Sequence, residues 1–401
     1  MTESTGVKAE STNAIVTYDG IFKGMYDEKL QEMFQEGRRK FAGGDWPGGM
    51  KIFENMLEIA SDKSKDRKTL EEIMNELKRY EACRIEPGTQ PAKSIDWSAV
   101  ADRPLERLHE SFFGLPQGVF FLDVGRHGKP GSVRLVGKKL LSDYFLAFKI
   151  PELFCSLVKA DMILGLYVDQ RMSDSNVTIF YNPIEKSEKL HVMQKIMSNG
   201  GADAELIFPF PLMRSTTRCE WGSPPEGWEV DDSYDIMLGC GEERIRAYSI
   251  QFLRSVGLDK PILYDPACST GVFLSTLQQA IPGSYTIGQD LSQQMANFAK
   301  DRVDEAHCAN ALDPKIKLGT ADAVYIRFLN SEVIKTCEAE ELLSALLPTV
   351  KKGGYIITFG HTPVLLSSSN FRQLSGFQFK QSVGVAVDKC GIFQYYVIQK
   401  S

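Results

Sequence analysis

The sequence predicts an α/β protein: a seven-stranded, mostly parallel sheet with an antiparallel last strand over residues 231–401, preceded by an N-terminal helical and mixed α+β cap region. Three observations carry this expectation. Apolar runs at 262–265, 285–289, 306–310, 323–328, 354–360, 379–387 and 392–399 recur at the spacing of βα units, with helices expected between the first six. The last two runs are separated only by Asp388-Lys-Cys-Gly391, too short for a crossover helix, so the final strand must run antiparallel. The first run passes from Ile262-Leu-Tyr-Asp265 through Pro-Ala-Cys-Ser-Thr to Gly271 and an apolar helical pattern, which reads as strand, tight ligand-binding turn and helix.

The 401 residues divide into a tail and helical unit (1–88), a mixed α/β cap or substrate region (89–230) and a C-terminal domain (231–401). Residues 1 to about 18 are polar and aperiodic. Helical stripes follow: Leu30, Met33, Phe34 and Phe41; then Ile52, Phe53, Met56, Leu57 and Ala60; then Leu70, Ile73, Met74 and Leu77. Gly43-Gly-Asp-Trp-Pro-Gly-Gly49 breaks the first helix from the second, and Trp46, which core packing accounts for poorly, suits a mobile aromatic flap over a pocket. Pro87 to Pro104 is linker-like, and strands are then expected at 118–124, 132–136, 161–168, 176–181 and 204–208, with a helix over 185–198. A turn-rich joint at Gly222-Ser-Pro-Pro-Glu-Gly227 leads to a helix from Glu242.

The turn at 265–271 favours a ligand of adenosyl-like shape. Ala267, Ser269 and Gly271 keep side chains short where backbone approaches something bound, and the next helix offers free N–H groups. Asp290, 25 residues after Asp265 at the next strand end, can accept hydrogen bonds from two ribose hydroxyls. A dinucleotide site wants Gly-x-Gly-x-x-Gly, and the turn holds a single glycine, Gly271. The segment resembles the first motif of class I S-adenosylmethionine (SAM) dependent methyltransferases, and Gly288-Gln-Asp-Leu-Ser-Gln-Gln-Met295 resembles their second, with small-molecule methyltransferases the nearest in kind. The resemblance covers the last 170 residues or so. It implies SAM as cofactor, held by Asp265, Ala267, Cys268, Ser269, Gly271, Asp290 and Leu291, with Asn310 and Ala311 facing the adenine. A rival alignment puts Gly319-Thr-Ala-Asp322 at that last position.

Ligands of such sheets lie across the carboxyl ends of the strands, so residues just after each strand are candidates for chemistry. Where many relatives in the resembling family carry Leu-His after strand four, this chain has Leu329-Asn330, and an amide orients but does not deprotonate. Arg327 suits a substrate carboxylate and equally a structural ion pair, and it is also counted among the candidate cofactor-binding residues. His361, in Phe359-Gly-His-Thr-Pro363, is a candidate base. Tyr234 and Asp235 are candidate lid residues. Cys268 reads as small filler, since nothing nearby in sequence marks an activated thiolate.

A net charge of −6 without a basic run disfavours nucleic acid. Ser223-Pro-Pro-Glu226 ends in Glu where base-flipping adenine methyltransferases need an aromatic residue. Eight scattered cysteines form no Cys-x-x-Cys pair, so no metal site and no disulfide framework are expected. No apolar run approaches 18 residues and the N-terminus has no apolar signal core, so no membrane partner is expected and, with the scattered thiols, a cytoplasmic location is; a small-molecule substrate is what the resemblance implies. Whether the chain is a homodimer is not fixed by these features. Methyl transfer to O, N or C of a small acceptor, in the manner of specialised metabolism, is the first reading. Aminocarboxypropyl transfer or cyclisation from the same sulfonium, and a non-catalytic SAM-binding module, are the alternatives.

Overall fold

The computed structural model describes residues 28–42, 45–60, 65–111, 118–125, 132–139, 157–210, 220, 222, 243–329, 333–360, 364–387 and 390–401. Two compact units emerge: residues 1–84 with 140–154, and residues 85–139 with 155–401.

The first unit is helical, with α1 (Glu28–Ala42), α2 (Trp46–Ile59) and α3 (Lys65–Cys83). The apolar stripes meet as their spacing requires: Phe34 packs edge-on to Phe53 at 5.5 Å, and Leu30, Met56, Leu70, Met74 and Leu77 are buried. Asp45 caps α2 by accepting the Gly48 N–H at 3.0 Å. Trp46 is therefore the first helical residue rather than part of a free flap, and the Arg84 guanidinium lies 5.4 Å from its ring.

The second unit opens with α4 (Trp97–Ala101), inside the run that reads as a linker in sequence, where Asp96 accepts N–H bonds from Ser98 and Ala99. A six-stranded antiparallel sheet follows: β1 (Glu106–Ser111), β2 (Val119–Val124), β3 (Val133–Lys138), β5 (Ile163–Met172), β6 (Asn176–Pro183) and β7 (Ala204–Ile207), in the order β1-β6-β5-β3-β2-β7. Helix α5 (Lys186–Ser198) packs against the Ala160–Met162 turn that precedes β5.

The remaining strands are β8 (Ile262–Asp265), β9 (Tyr285–Asp290), β10 (Glu305–Cys308), β11 (Ala321–Ile326), β12 (Val350–Thr358), β13 (Phe377–Ala386) and β14 (Gly391–Lys400). They form one sheet in the order β10-β9-β8-β11-β12-β14-β13, parallel from β10 to β12 and antiparallel across β14. An eighth strand, β4 (Val158–Lys159), joins this sheet on β14, so the sheet exceeds the seven strands read from sequence. Helices α6 (Glu243–Ser255), α7 (Val272–Ala280), α8 (Gln293–Lys300), α9 (Thr336–Leu346) and α10 (Ser368–Arg372) complete the unit. The sheet separates two buried clusters, one containing Phe273, Tyr325, Phe359, Phe393 and Tyr395, the other Tyr264, Ile326, Leu343, Phe371 and Tyr396. No helix joins β10 to β11, contrary to the sequence expectation. Pro314 removes a helical donor there, and the loop instead closes around buried Gln289, which donates to the carbonyls of Ala309 and Asn310 and accepts the Lys315 N–H.

Register fixes how the two sheets meet. Thr358, the last residue of β12, pairs with Tyr396, so Gly391 to Tyr395 of antiparallel β14 run on past the carboxyl end of β12. Val158 and Lys159 pair with Ile392 and Gly391 on the side away from β13, which puts β4 in the lane of β12 beyond its carboxyl end. Gly391 permits this approach, because a Cβ there would meet the Val158 carbonyl at 2.7 Å. Strand β7 is fastened nearby: the side chains of Gln394 and Tyr396 donate to Leu206 O at 3.0 and 3.2 Å, and Glu205 accepts the Ser368 N–H at 2.7 Å.

Candidate active site

The carboxyl ends of β8, β9 and β11 converge on the turn 265–271. Asp265 ends β8 fully buried, with Oδ1 accepting the Ala267 N–H at 3.0 Å. The turn is tied to the next strand by the Cys268 N–H, which donates to Gln289 O at 2.7 Å. It then bends through two left-handed residues, Ser269 at φ 54° and Gly271 at φ 81°. A serine in that region is uncommon, and such backbone is found where a turn is shaped for a ligand. Gly271 also suits close packing on α8, since a Cβ there would lie 3.1 Å from Ala299 Cα.

Asp290 closes the opposite side. Its Oδ2 accepts the Ser269 N–H at 2.8 Å and its Oδ1 the Ser292 N–H at 2.9 Å, so the carboxylate bridges the turn and the start of α8. Burial pushes its pKa up to about 6, the two N–H donors opposing the shift only in part. Cys268 is 1% exposed beneath them, and a Cβ on Gly288 would lie 2.8 Å from its sulfur, so the second strand passes directly under the thiol. Burial, then the charges of Asp265 and Asp290, raise that thiol well above its ordinary range, which keeps it protonated.

Arg327 follows β11 immediately and reaches across to β8. Its Nε donates to Asp265 Oδ2 at 2.6 Å, its Nη2 lies 3.5 Å from Ala267 O, and its guanidinium carbon stands 4.8 Å from the Phe273 ring centre on α7. The side chains of Arg327 and Asp265 are 10% and 0% exposed.

The structure thus brings together Asp265, Ala267, Cys268, Ser269, Gly271, Asp290 and Arg327. Leu291 lies exposed just after β9, its carbonyl 3.5 Å from Cys308 Sγ. Asn310 is exposed and uses its side-chain oxygen to accept the Leu312 N–H at 2.9 Å, while Ala311 packs on the cluster around Tyr264. Asn330, His361, Tyr234 and Asp235 lie outside the described residues. Sequence reasoning passed over Gln289, whose side chain organises the 309–315 loop and accepts the Tyr264 hydroxyl at 2.8 Å. An amide in an otherwise apolar strand run is the signal that marks it. Among the described residues no group of three or more His, Cys, Asp or Glu could hold a metal, and no helix is long and apolar enough to cross a membrane.

Residues 264–358 match the family model described as a methyltransferase domain. Isonocardicin synthase of Nocardia uniformis subsp. tsuyamanensis is 34% identical over 308 residues, covering 76% of this chain and 98% of that protein. Among solved structures, a SAM-dependent methyltransferase from Aquifex aeolicus aligns at a TM-score of 0.34 and 16% identity, over 42% of this chain and 99% of its own. Magnesium protoporphyrin IX methyltransferase from Synechocystis PCC 6803 aligns at 0.31 and 16%, over 43% and 86%.

Proposed function

The chain belongs to the SAM-dependent methyltransferase family and is an enzyme that uses SAM, and on that premise we propose that it transfers a carbon group from the sulfonium to a small-molecule acceptor. The observation that carries the acceptor class is the position of β4 and β7. In open α/β sheets ligands lie outside the carboxyl ends of the strands. Backbone from the preceding region extends the lane of β12 past that end, and β7 grips the segment that follows β12. The described strands that precede the cofactor half in this unit then act as the cap that walls the acceptor pocket and excludes water.

Bound in the turn, SAM supplies an electrophilic carbon beside a good leaving group. The protein's task is alignment, an effect worth up to roughly 7–11 kcal/mol. In this reading Asp290 accepts from the ribose hydroxyls, the 267–271 backbone lies along the thioether, and Leu291, Asn310 and Ala311 border the adenine. Asn330, His361 and Tyr234 are the acceptor-side residues. Asp290 makes the binding pH-dependent. Its raised pKa means that its contribution to stability is fully present below the ordinary carboxyl range and is lost as pH rises through about 6. Ligand hydroxyls need the ionised form, so affinity for S-adenosylhomocysteine is expected to fall below pH 6 by a factor approaching tenfold per unit. Calorimetry between pH 5 and 8 checks this. A flat profile would remove Asp290 from the ligand.

Methyl transfer is the reading that the family model supports. The curated relative favours a second, aminocarboxypropyl transfer, because it matches well beyond the methyltransferase model and is named a synthase. The residual nucleoside separates them: turnover with a panel of phenols, amines and carboxylates leaves S-adenosylhomocysteine after methyl transfer and methylthioadenosine after transfer of the arm. Turnover with protein or nucleic acid alone would overturn the small-molecule reading.

A further inference from the structure

Six side chains line up across the antiparallel sheet, one from each of its strands. Asp123 of β2 lies opposite Glu205 of β7 on one side and Arg134 of β3 on the other. On β5, Leu166 faces Leu135 and Gly165 faces Val136, so the antiparallel register sets Tyr167 opposite Arg134. Tyr167 lies opposite Tyr181 of β6, and Tyr181 opposite Glu106 of β1. Directly opposed residues of an antiparallel pair project to one face, so Glu205, Asp123, Arg134, Tyr167, Tyr181 and Glu106 form a continuous polar row. One end is fixed to the cofactor half, because Glu205 accepts the N–H of Ser368, which follows β12.

Both ends of the row are satisfied by their neighbours, and the middle is not. Asp123 accepts from Arg134 Nε and Nη2, each at 2.7 Å, and the Tyr181 hydroxyl donates to Glu106 at 2.9 Å. Among the described residues, no group hydrogen-bonds Arg134 Nη1 or the Tyr167 hydroxyl. Both are within reach of a ligand, since the Arg134 side chain is 38% exposed and Tyr167 is half-buried. Burial, then the charge of Asp169, raise the Tyr167 pKa and keep the hydroxyl a donor. Phe121 supplies an apolar plate beside them: its ring meets Tyr167 edge-on at 5.1 Å, and the Arg134 guanidinium carbon stands 5.3 Å from its centre.

Two adjacent donors, one of them cationic, ask for an anionic acceptor group, and the ring beside them asks for an apolar body. We propose that Arg134 and Tyr167 form an acceptor subsite that takes the carboxylate of an organic acid whose apolar body lies along Phe121. This rests on the small-molecule reading above and names the acceptor class within it. Asp123 holds the guanidinium by its Nε edge, so the plane is fixed before a ligand arrives and Nη1 is left for it. The other two acids oppose the anion only weakly. Glu205 is two strands from Arg134 and Glu106 two strands from Tyr167, about 10 Å in each case, where salt screens them. Tyr167 is three strands from β7, roughly 14 Å, so the carboxylate sits at the end of the acceptor remote from the reacting atom.

The probes are phenylacetate and hydrocinnamate with the amide of each, titrated by ligand-observed NMR against the full chain saturated with S-adenosylhomocysteine. Each acid is expected to bind the unmodified protein at least about tenfold more tightly than its amide. Arg134→Gln is expected to weaken the acids about tenfold or more, as for a lost hydrogen bond to a charged group, and the amides less than about threefold. Tyr167→Phe is expected to weaken the acids about two- to tenfold. A purely structural pair would lower acid and amide alike. An unchanged acid-to-amide ratio in both variants, equal binding of acid and amide by the unmodified protein, or no binding of either acid would overturn the subsite. Should Arg134→Gln not fold because Asp123 loses its partner, Asp123→Asn/Arg134→Gln is titrated with the same probes and read in the same way. Turnover of neutral phenols and amines as efficient as that of acids would overturn the subsite and leave the small-molecule reading standing. Failure to turn over any small molecule, with S-adenosylhomocysteine still bound, would overturn that reading instead.

Discussion

Asp290→Ala is expected to weaken S-adenosylhomocysteine binding by about 2–4 kcal/mol, roughly 30- to 1000-fold, because a paired acceptor for two ribose hydroxyls disappears. The same carboxylate accepts backbone N–H groups from Ser269 and Ser292, so the substitution also releases the turn and lowers stability. Asp290→Asn separates the two effects, since it keeps the volume and one acceptor oxygen but cannot accept at both positions. If binding by calorimetry is unchanged in both variants while the unfolding midpoint falls, Asp290 is a clamp on the turn and not a ligand for ribose.

The largest loss of stability is expected from Tyr395→Ala, about 3–5 kcal/mol by analogy with other large aromatic truncations. Tyr395 is fully buried, stacks on Phe359 at 5.5 Å with an interplanar angle of 7°, and meets Tyr248 edge-on at 4.8 Å. Its hydroxyl lies 2.9 Å from Ser249 Oγ on α6, so the residue fastens that helix to the last strand. Tyr395→Phe keeps the ring and removes only this bond, for about 0.5–1.5 kcal/mol. Denaturant unfolding of the two variants distinguishes ring from hydroxyl. A loss below about 1.5 kcal/mol for the alanine variant would mean that the aromatic cluster re-forms without it.

Strands buried on both faces were legible in the sequence, because most of their side chains are apolar. All of Ala321–Ile326 is buried, and β8 and β14 are nearly so. Boundaries slipped where the surroundings are wet: β12 begins at Val350, and Lys351, Lys352 and Gly353 disguise its first turn of pairing as loop. Strand β1, Glu-Arg-Leu-His-Glu-Ser, pairs among the described strands with β6 alone and reads as a polar segment, as an edge strand can. A strand of two residues such as β4 has no period to detect. In the site, Asp265 and Asp290 stood out by following apolar runs, whereas the bond between Asp265 and Arg327 joins residues 62 apart and needed the sheet order to appear.

Strand β14 pairs with β13 along one edge and with both β12 and β4 along the other, while its side chains hold β7. Of the described strands it leaves the ribosome last. Until it emerges, β12 has an open edge and the earlier six-stranded sheet lacks its anchor, so the cap and the cofactor half cannot dock in the order in which they are made. Assembly of this unit therefore waits for β14. From the synthesis of β12 until β14 follows it, the nascent chain exposes an apolar sheet edge, the kind of intermediate on which chaperones act.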